Sequence, residues 1–148
     1  MKILMIIPAY NEEESILHTV EGIIDYRKNV DFQLDYLVIN DGSTDNTIKI
    51  LEGIKINFPN QVHIFNCEKN GGKAEAVRLG INYCNNNYNH KYIGYLDADL
   101  ATTLEEFCEI RDYIKGEISF CFGSQIKKIG STIDREHSRF LIGRVIAT

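Results

Sequence analysis

The sequence lacks several features that would place it in a specialised class of protein. It has 148 residues and no apolar run long enough to cross a bilayer. The four cysteines are scattered and form no CxxC pair, so neither a disulfide framework nor a zinc site is expected, and reduced thiols in a cytoplasmic compartment are predicted. The net charge is −5 with no basic block or stripe, which argues against nucleic acid as a partner.

The chain length fits one domain with its own core, and residues 1–148 are predicted to form a single domain. The apolar residues 2–7 are too few for a signal peptide, so a buried first strand is expected there. At the other end, a helical pattern continues to Thr148 without a stop signal. We therefore expect the chain to be a piece of a longer protein, cut inside a helix or strand.

Short apolar stretches, rich in β-branched or aromatic residues, alternate with segments of helical periodicity. Strand–helix alternation of this kind predicts an α/β fold with a mostly parallel central sheet and helices on both faces. The strands are predicted at residues 2–7, 35–39, 61–66, 91–97 and 117–122.

The helices between these strands are predicted from capping residues and apolar stripes. Asn11 is expected to cap the first helix, with three glutamates in the first turn. The second helix is expected to begin near Ser43 or Thr44, and the third directly after Gly71 and Gly72. The residues of the third helix that are predicted to face inward are Ala74, Val77, Ile81 and Cys84.

The most informative motif is the triplet Asp97-Ala98-Asp99 at the end of the fourth predicted strand. Side chains two positions apart on a strand point the same way, so two carboxylates leave this strand end side by side. They repel each other unless a cation or a proton lies between them, and oxygen ligands suit Mg²⁺ or Mn²⁺. The triplet indicates a metal-assisted diphosphate site, and a surface turn with two solvated acids is the simpler alternative.

Three other predicted strand ends are also polar, and ligands of open α/β sheets bind at the carboxyl ends of strands. Asp41 offers an acceptor for the N–H groups of a base, and Tyr10 offers a ring for a base or a ribose. Gly71 and Gly72 permit close approach of the backbone to a ligand at a helix start, where Lys73 adds positive charge. Each motif alone could be a turn, a cap or a rim residue, but together they predict one binding crevice.

Taken in order along the chain, these motifs resemble the second family of inverting glycosyltransferases. The resemblance implies the GT-A fold, a Rossmann-like α/β domain that binds a nucleotide sugar. Segments 99–102 and 123–124, the latter followed by basic residues, are similar to those of dolichyl- or polyprenyl-phosphate sugar transferases. The motifs that carry the resemblance are Ile7-Pro8-Ala9-Tyr10-Asn11-Glu12, Asn40-Asp41-Gly42-Ser43-Thr44-Asp45, Asn70-Gly71-Gly72-Lys73 and Asp97-Ala98-Asp99.

The resemblance also implies roles for individual residues. Asp97 and Asp99 are the expected catalytic residues and the ligands of Mg²⁺ or Mn²⁺ on the donor diphosphate, and Asp97 would also lie near the ribose. Asp41 is expected to hold the base, and Lys73 to lie near the nucleotide. The other implied substrate-binding residues are Pro8, Ala9, Tyr10, Glu12, Gly72 and Ala98.

The activity implied is transfer of a hexose, with inversion, from a donor of the UDP-glucose or GDP-mannose type. The acceptor would be a polyprenyl or dolichyl phosphate, or another glycan acceptor, in cell-envelope glycan biosynthesis. Such a protein would act in the cytoplasm and associate peripherally with the cytoplasmic face of a membrane. Three departures from the family pattern stand out: Asn40 replaces one acid of a pair, Gln125 replaces an arginine, and the later half of the family's length is missing.

Two alternatives remain open at this point. Because the later half normally supplies much of the acceptor site, the isolated chain could bind a nucleotide sugar and be catalytically incomplete. A phosphatase of the haloacid-dehalogenase type also carries Asp-x-Asp after a strand. That type usually has Thr or Val at the place occupied here by Ala101, and the motif lies late in this chain.

Overall fold

The computed structural model describes residues 2–99, 104–114 and 121. Within them, strands and helices alternate along the chain, as predicted. The predicted strand at 117–122 lies outside the described residues apart from Cys121. The strands are β1 (Lys2–Ala9), β2 (Gln33–Asn40), β3 (Val62–Asn66) and β4 (Tyr92–Tyr95). The helices are α1 (Ile16–Arg27), α2 (Thr47–Asn57), α3 (Lys73–Asn87) and α4 (Leu104–Asp112).

The strands form a parallel sheet in the order β3-β2-β1-β4. The chain runs outward from β1 through β2 to β3 and then returns to place β4 on the other side of β1. In sheets of this kind the ligand crevice lies where the strand order reverses, outside the carboxyl ends of the strands. The topology therefore points to the carboxyl ends of β1 and β4.

Helices cover both faces of the sheet, which confirms the predicted α/β architecture. Successive residues of a strand point to opposite faces, so β1 contributes alternately to two buried clusters. In one cluster Ile3, Met5 and Ile7 pack with residues of α1 and α2. In the other, Leu4 and Ile6 pack with residues of α3.

The buried face of α3 differs from the predicted one. Cys84 is buried as expected, but Ala74 and Ile81 are exposed, and the buried face runs through Ala76 and Gly80. A Cβ atom on Gly80 would lie 2.9 Å from the Ile6 Cγ2 atom, so the helix backbone approaches the sheet closely there. The prediction relied on large apolar residues. Close packing of α3 against the sheet instead favours small residues at every fourth position of the helix.

The predicted starts of the first two helices are also wrong. Asn11 has a φ of 54°, and α1 begins five residues after it. Asn11 instead binds the neighbouring loop. Its side-chain Oδ1 accepts the Thr44 N–H at 2.9 Å, and its backbone N–H donates to the Ser43 Oγ at 3.0 Å. The Glu12 N–H similarly donates to the Thr47 hydroxyl at 2.9 Å, where α2 begins. Polar groups predicted to cap helices instead tie the β1–α1 and β2–α2 loops together.

Contacts within the chain define two compact units, Met1–Cys108 and Glu109–Thr148. The sheet and α1 to α3 belong to the first unit, and the described residues of the second are 109–114 and 121. A single domain over 1–148 therefore stays a prediction. Within the described ranges, no helix has the length and apolar character needed to cross a membrane.

Candidate functional site

A cavity of about 420 Å³ lies at the carboxyl ends of the strands, where the topology points. Its wall is built from four separate parts of the chain, one after each of β1 to β4. It contains every residue to which the family resemblance assigns a role in binding substrate or metal, together with Asn70 of the third motif, whereas Gly71 of that motif does not line it. The lining residues are Pro8, Ala9, Tyr10, Glu12, Asp41, Asn70, Gly72, Lys73, Asp97, Ala98 and Asp99.

Backbone hydrogen bonds align these four strand ends. The Asp41 N–H donates to the Ala9 carbonyl at 2.9 Å, so the chain leaves β2 beside the end of β1. On the other side, the Leu96 N–H donates to the Ile6 carbonyl at 3.0 Å, which continues the parallel pairing past the end of β4. The triplet that starts at Asp97 therefore emerges beside β1, as the sequence pattern predicted.

The residues of the triplet differ in burial. Leu96 and Ala98 are buried, whereas Asp97 is half-buried and Asp99 is exposed. The Ala98 carbonyl accepts a buried hydrogen bond of 2.7 Å from the Thr19 hydroxyl of α1. This contact anchors the middle of the triplet in the core, while both carboxylate-bearing residues line the cavity.

Lys73 and Asp97 form an ion pair inside the cavity, between the Lys73 ammonium and the Asp97 Oδ1 atom. The same ammonium lies 5.8 Å from the centre of the Tyr95 ring. Both charged side chains remain substantially exposed, so solvent screens the pair and its contribution to stability is small. The pair places one positive and one negative group at the cavity wall, a contact that the sequence analysis did not predict.

Asp41 is buried, and its carboxylate accepts hydrogen bonds from the next loop. Its Oδ1 accepts the Gly71 N–H at 2.9 Å, and its Oδ2 accepts the Gly72 N–H at 2.8 Å. Both glycine N–H groups therefore have a carboxylate acceptor, and Gly72 also lines the cavity, so the expected close approach of this backbone to a ligand stays a prediction. Asp41 still lines the cavity, so its expected contact with a base stays a prediction.

Asn40, which departs from the family pattern of two acids, has a local structural explanation. It is buried at the end of β2, where its Nδ2 donates to the Asn66 Oδ1 at 3.1 Å. Its Oδ1 accepts the Ser43 N–H at 3.2 Å. An amide can donate and accept at once, which an ionised carboxylate cannot, so asparagine suits this position. Gln125, the second departure, lies outside the described residues.

Tyr10 and Glu12 form the rim of the cavity after β1. The Tyr10 side chain is 45% exposed, so its ring has an open surface beside the cavity. Glu12 is half-buried, and its carboxylate contacts the Ser15 hydroxyl. This rim combines an aromatic face with hydrogen-bonding groups, which suits a nucleoside.

Arg78, further along α3, forms two hydrogen bonds with Glu75, at 2.7 and 2.6 Å. Hydrogen bonding to the Arg78 guanidinium lowers the pKa of Glu75 from its ordinary value. Neither residue lines the cavity. The two side chains therefore form a solvated ion pair on α3 rather than part of the site.

The two carboxylates of the triplet fit one kind of metal site. Across the described ranges, no group of three or more His, Cys, Asp or Glu side chains could hold a metal ion. Mg²⁺ is commonly bound by one or two carboxylates completed by substrate phosphates. Asp97 and Asp99 fit such a shared site, with oxygen donors on the cavity wall, and do not fit a cage made of protein ligands alone.

Comparison with known protein families matches this chain to one of them. The model described as "Glycosyl transferase family 2" matches residues 5–146. The match covers nearly the whole chain, including all four strand-end motifs.

Two curated relatives are named as transferases that act with a lipid phosphate. Dolichyl-phosphate beta-glucosyltransferase ALG5C of Trichomonas vaginalis is 34% identical over 115 residues, which cover 74% of this chain and 33% of that protein. Undecaprenyl-phosphate 4-deoxy-4-formamido-L-arabinose transferase of Proteus mirabilis is 32% identical over 105 residues, covering 71% of this chain and 31% of that protein. The chain spans about a third of the length of these two relatives.

Solved structures share the fold at lower sequence identity. The mannosyltransferase PcManGT from Pyrobaculum calidifontis, in complex with GDP-Man and Mn²⁺, has a TM-score of 0.55 and 23% identity, covering 66% of this chain and 27% of that one. S. aureus TarS 1–349 in complex with UDP-GlcNAc has a TM-score of 0.54 and 23% identity, covering 76% of this chain and 31% of that one. These similarities confirm the predicted GT-A fold.

Proposed function

The chain belongs to glycosyl transferase family 2, and we propose that it transfers a hexose from a nucleoside diphosphate sugar to a polyprenyl or dolichyl phosphate. The transfer would invert the anomeric carbon. The observation that carries this proposal is the cavity at the strand ends, which contains every residue expected to bind the donor. The names of two relatives support a lipid-phosphate acceptor. The family match argues against the phosphatase alternative.

The donor nucleoside is proposed to lie at the β1 and β2 side of the cavity. Tyr10 would stack on the base or the ribose, and Asp41 would accept a hydrogen bond from a base N–H. Four small residues and one polar neighbour would form the rest of the wall against the nucleoside. Those residues and their polar neighbour are Pro8, Ala9, Gly72, Ala98 and Glu12.

The donor diphosphate is proposed to lie at the β4 side. Asp97 and Asp99 would hold Mg²⁺ or Mn²⁺ there together with the phosphate oxygens, and Asp97 would also lie near the ribose. Such an ion, when bound, supplies positive charge against the diphosphate leaving group. Two carboxylates on the wall and a neighbour's complex with Mn²⁺ support this assignment.

Lys73 is proposed to assist departure of the nucleoside diphosphate. Its ammonium contacts Asp97 at the cavity wall, close to where the diphosphate would lie. As the bond between the anomeric carbon and the diphosphate oxygen breaks, negative charge grows on that oxygen. A positioned ammonium stabilises this charge more strongly than it stabilises the bound donor, which accelerates the reaction.

A lipid-phosphate acceptor suits this set of residues. The second pKa of a phosphate ester is about 6, so the acceptor oxygen is already anionic near neutral pH. Attack on the anomeric carbon therefore depends less on a general base than attack by a hydroxyl group would. Because a polyprenyl phosphate is a membrane lipid, the reaction would take place at a membrane surface, and the proposal assigns it to the cytoplasmic face.

A transfer assay tests this proposal. The chain is incubated with Mn²⁺, polyprenyl phosphate in detergent, and UDP-glucose or GDP-mannose carrying a labelled sugar. We expect label in the lipid product from one of the two donors, and none with the Asp99→Asn variant. Metal-dependent donor binding without transfer would favour the nucleotide-sugar-binding module. Absence of both binding and transfer would contradict the proposal.

A further inference from the structure

One buried carboxylate connects the β2–α2 loop to the β3–α3 loop. Asp41 is 3% exposed, and its side chain accepts hydrogen bonds from the backbone N–H groups of Gly71 and Gly72. The Asn70 Nδ2 donates to the Asp41 Oδ2 at 3.1 Å and to the Asp41 carbonyl at 3.2 Å. Asp41 thus binds three consecutive residues that lie 29 to 31 positions later in the chain.

The two loops also interlock through their backbones. Gly42 has a φ of 67°, and a Cβ atom built on it would lie 2.5 Å from the Asn70 nitrogen and 2.5 Å from the Lys69 carbonyl carbon. Both of these atoms are backbone atoms, so no side-chain rotation would relieve the clash. The β2–α2 loop therefore packs directly against the β3–α3 loop at the residue that follows Asp41.

The segment held in this way is the start of α3. Gly72 is the N-cap residue, with a φ of 85°, and Lys73 is the first residue of the helix. The unpaired N–H groups at a helix start favour a nearby negative charge, which the Asp41 carboxylate supplies. Lys73 in turn contacts Asp97. The contacts run from Asp41 through the glycines to Lys73 and then to the triplet.

We propose that Asp41 is a positioning residue, whose carboxylate fixes Gly71 and Gly72 and thereby sets the place of Lys73 before a nucleotide binds. The inference rests on the proposed function only in that Lys73 belongs to the donor site. A carboxylate has about four lone-pair positions, and the side chain uses three of them here. One position remains for a base N–H, so the positioning role and the proposed base contact are compatible.

Amide hydrogen exchange of the nucleotide-free, ¹⁵N-labelled 148-residue chain tests the inference by NMR. In the wild type, we expect the Gly71 and Gly72 amides to exchange at least about tenfold more slowly than in an unstructured chain. The variant Asp41→Asn keeps the side-chain shape but replaces one acceptor oxygen with an NH₂ group. We expect at least one of the two amides to exchange about tenfold faster in this variant, and the Lys73 amide signal to shift.

Asp45→Asn is the matched control, because it makes the same substitution in the same loop. The Asp45 carboxylate accepts the N–H groups of Glu13 and Thr47, which lie in the β1–α1 loop and at the start of α2. In this control, exchange of the Gly71 and Gly72 amides and the Lys73 signal should match the wild type. A general loosening of the loop would change both variants alike and would overturn the specific role of Asp41.

Two other results would also overturn the inference. One is unprotected exchange of Gly71 and Gly72 in the wild type. The other is unchanged exchange in Asp41→Asn while the sheet amides stay protected. Should Asp41→Asn expose the sheet amides as well, Asn70→Ala decides, because Asn70 is exposed and its loss leaves the carboxylate in place. Protection of Gly71 and Gly72 that persists in Asn70→Ala supports the inference, because the carboxylate still accepts both N–H groups, and loss of that protection contradicts it.

These measurements use no nucleotide, so their outcome is independent of the proposed activity. A chain that binds no donor would contradict the proposed function and leave the positioning role intact. Conversely, wild-type donor binding with unprotected glycine amides would contradict the positioning role alone.

Discussion

The Thr19 hydroxyl donates a hydrogen bond of 2.7 Å to the Ala98 carbonyl, although the two residues lie 79 positions apart. Both residues are buried. Helix α1 therefore holds the backbone between Asp97 and Asp99 from the core side. This contact links the packing of the first helix to the backbone that carries the two carboxylates.

Replacing Thr19 with valine should destabilise the protein, because the Ala98 carbonyl would lose its buried donor while the side-chain volume stays similar. An unsatisfied buried polar group costs about 1–3 kcal/mol. Urea denaturation followed by circular dichroism measures the loss. The control Thr19→Ser keeps the hydroxyl and should retain more of the stability. Equal stability of the valine variant and the wild type would show that the contact is not needed.

Replacing Lys73 with methionine should weaken donor binding, because it removes the ammonium and keeps the length of the side chain. A hydrogen bond to a charged group is worth about 1.5–3 kcal/mol, which corresponds to a loss of about tenfold or more in affinity. Stability should change little, since exposed ion pairs contribute about 0–1 kcal/mol. Calorimetric titration with a nucleoside diphosphate sugar measures the effect.

Lys69→Met is the matched control for Lys73→Met. Lys69 is exposed on the same loop but does not line the cavity. Its loss should leave the affinity close to that of the wild type. Equal affinities for both variants would place Lys73 outside the donor site.

Gly80→Ala should destabilise the fold, since a Cβ atom there would lie 2.9 Å from the Ile6 Cγ2 and 3.2 Å from the Ile39 Cγ1. Overpacking of this kind costs about 1–3 kcal/mol, more than the helix propensity of alanine returns. Gly22→Ala is the control, because a Cβ atom at this position of α1 would have no atom within 4 Å apart from its chain neighbours and the backbone of its own helix turns. Thermal denaturation should show a lower midpoint for Gly80→Ala only. Equal midpoints would contradict the close approach of α3 to the sheet.

Stability should fall in acid partly because of His63. Burial lowers the pKa of the His63 imidazole from its ordinary 6.5, and the charges of His90 and Lys55 act in the same direction, while Asp35 opposes them. A lowered folded-state pKa means that protonation favours the unfolded chain. The stabilising contribution is complete above pH 6.5 and is lost as the pH falls through the lower, folded-state pKa.

Urea denaturation between pH 7.5 and 5 measures this dependence. The free energy of unfolding should decrease toward pH 5 in the wild type, and less steeply in His63→Gln. The centre of the His63 ring lies 4.7 Å from the centre of the Tyr88 ring, so the substitution also removes packing. The test therefore compares how steeply the free energy of unfolding changes with pH, not its absolute value. Identical slopes would show that His63 does not contribute.

The sheet was predictable because its strands are short, apolar and buried, and a period of two or a continuous apolar run is visible in the sequence itself. The convergence of Asp41, Lys73 and Asp97 followed from one rule, that the ends of parallel strands meet at one edge. By contrast, the helix starts depended on hydrogen bonds between loops about 33 positions apart. Local capping rules assign Asn11 to its own helix and do not account for such contacts.

The interactions inside the site could not be predicted for a related reason. Lys73 and Asp97 lie on different elements, and nothing in either motif indicates that their side chains meet. The glycine pair at 71–72 is compatible with an anion site at a helix start. In the structure, however, its N–H groups donate hydrogen bonds to the Asp41 carboxylate. Which acceptor these N–H groups bind depends on distances in the folded chain. Residue types alone do not determine those distances.

The central claim is that the strand-end cavity binds a nucleoside diphosphate sugar together with a divalent cation. Isothermal titration of the chain with UDP-glucose and GDP-mannose, with and without Mn²⁺, tests it most directly. We predict saturable binding of one donor, strengthened by Mn²⁺ and weakened at least about tenfold in Asp99→Asn, as expected for the loss of a charged ligand. Absence of binding, or binding of equal strength without Mn²⁺ and in the variant, would contradict the claim.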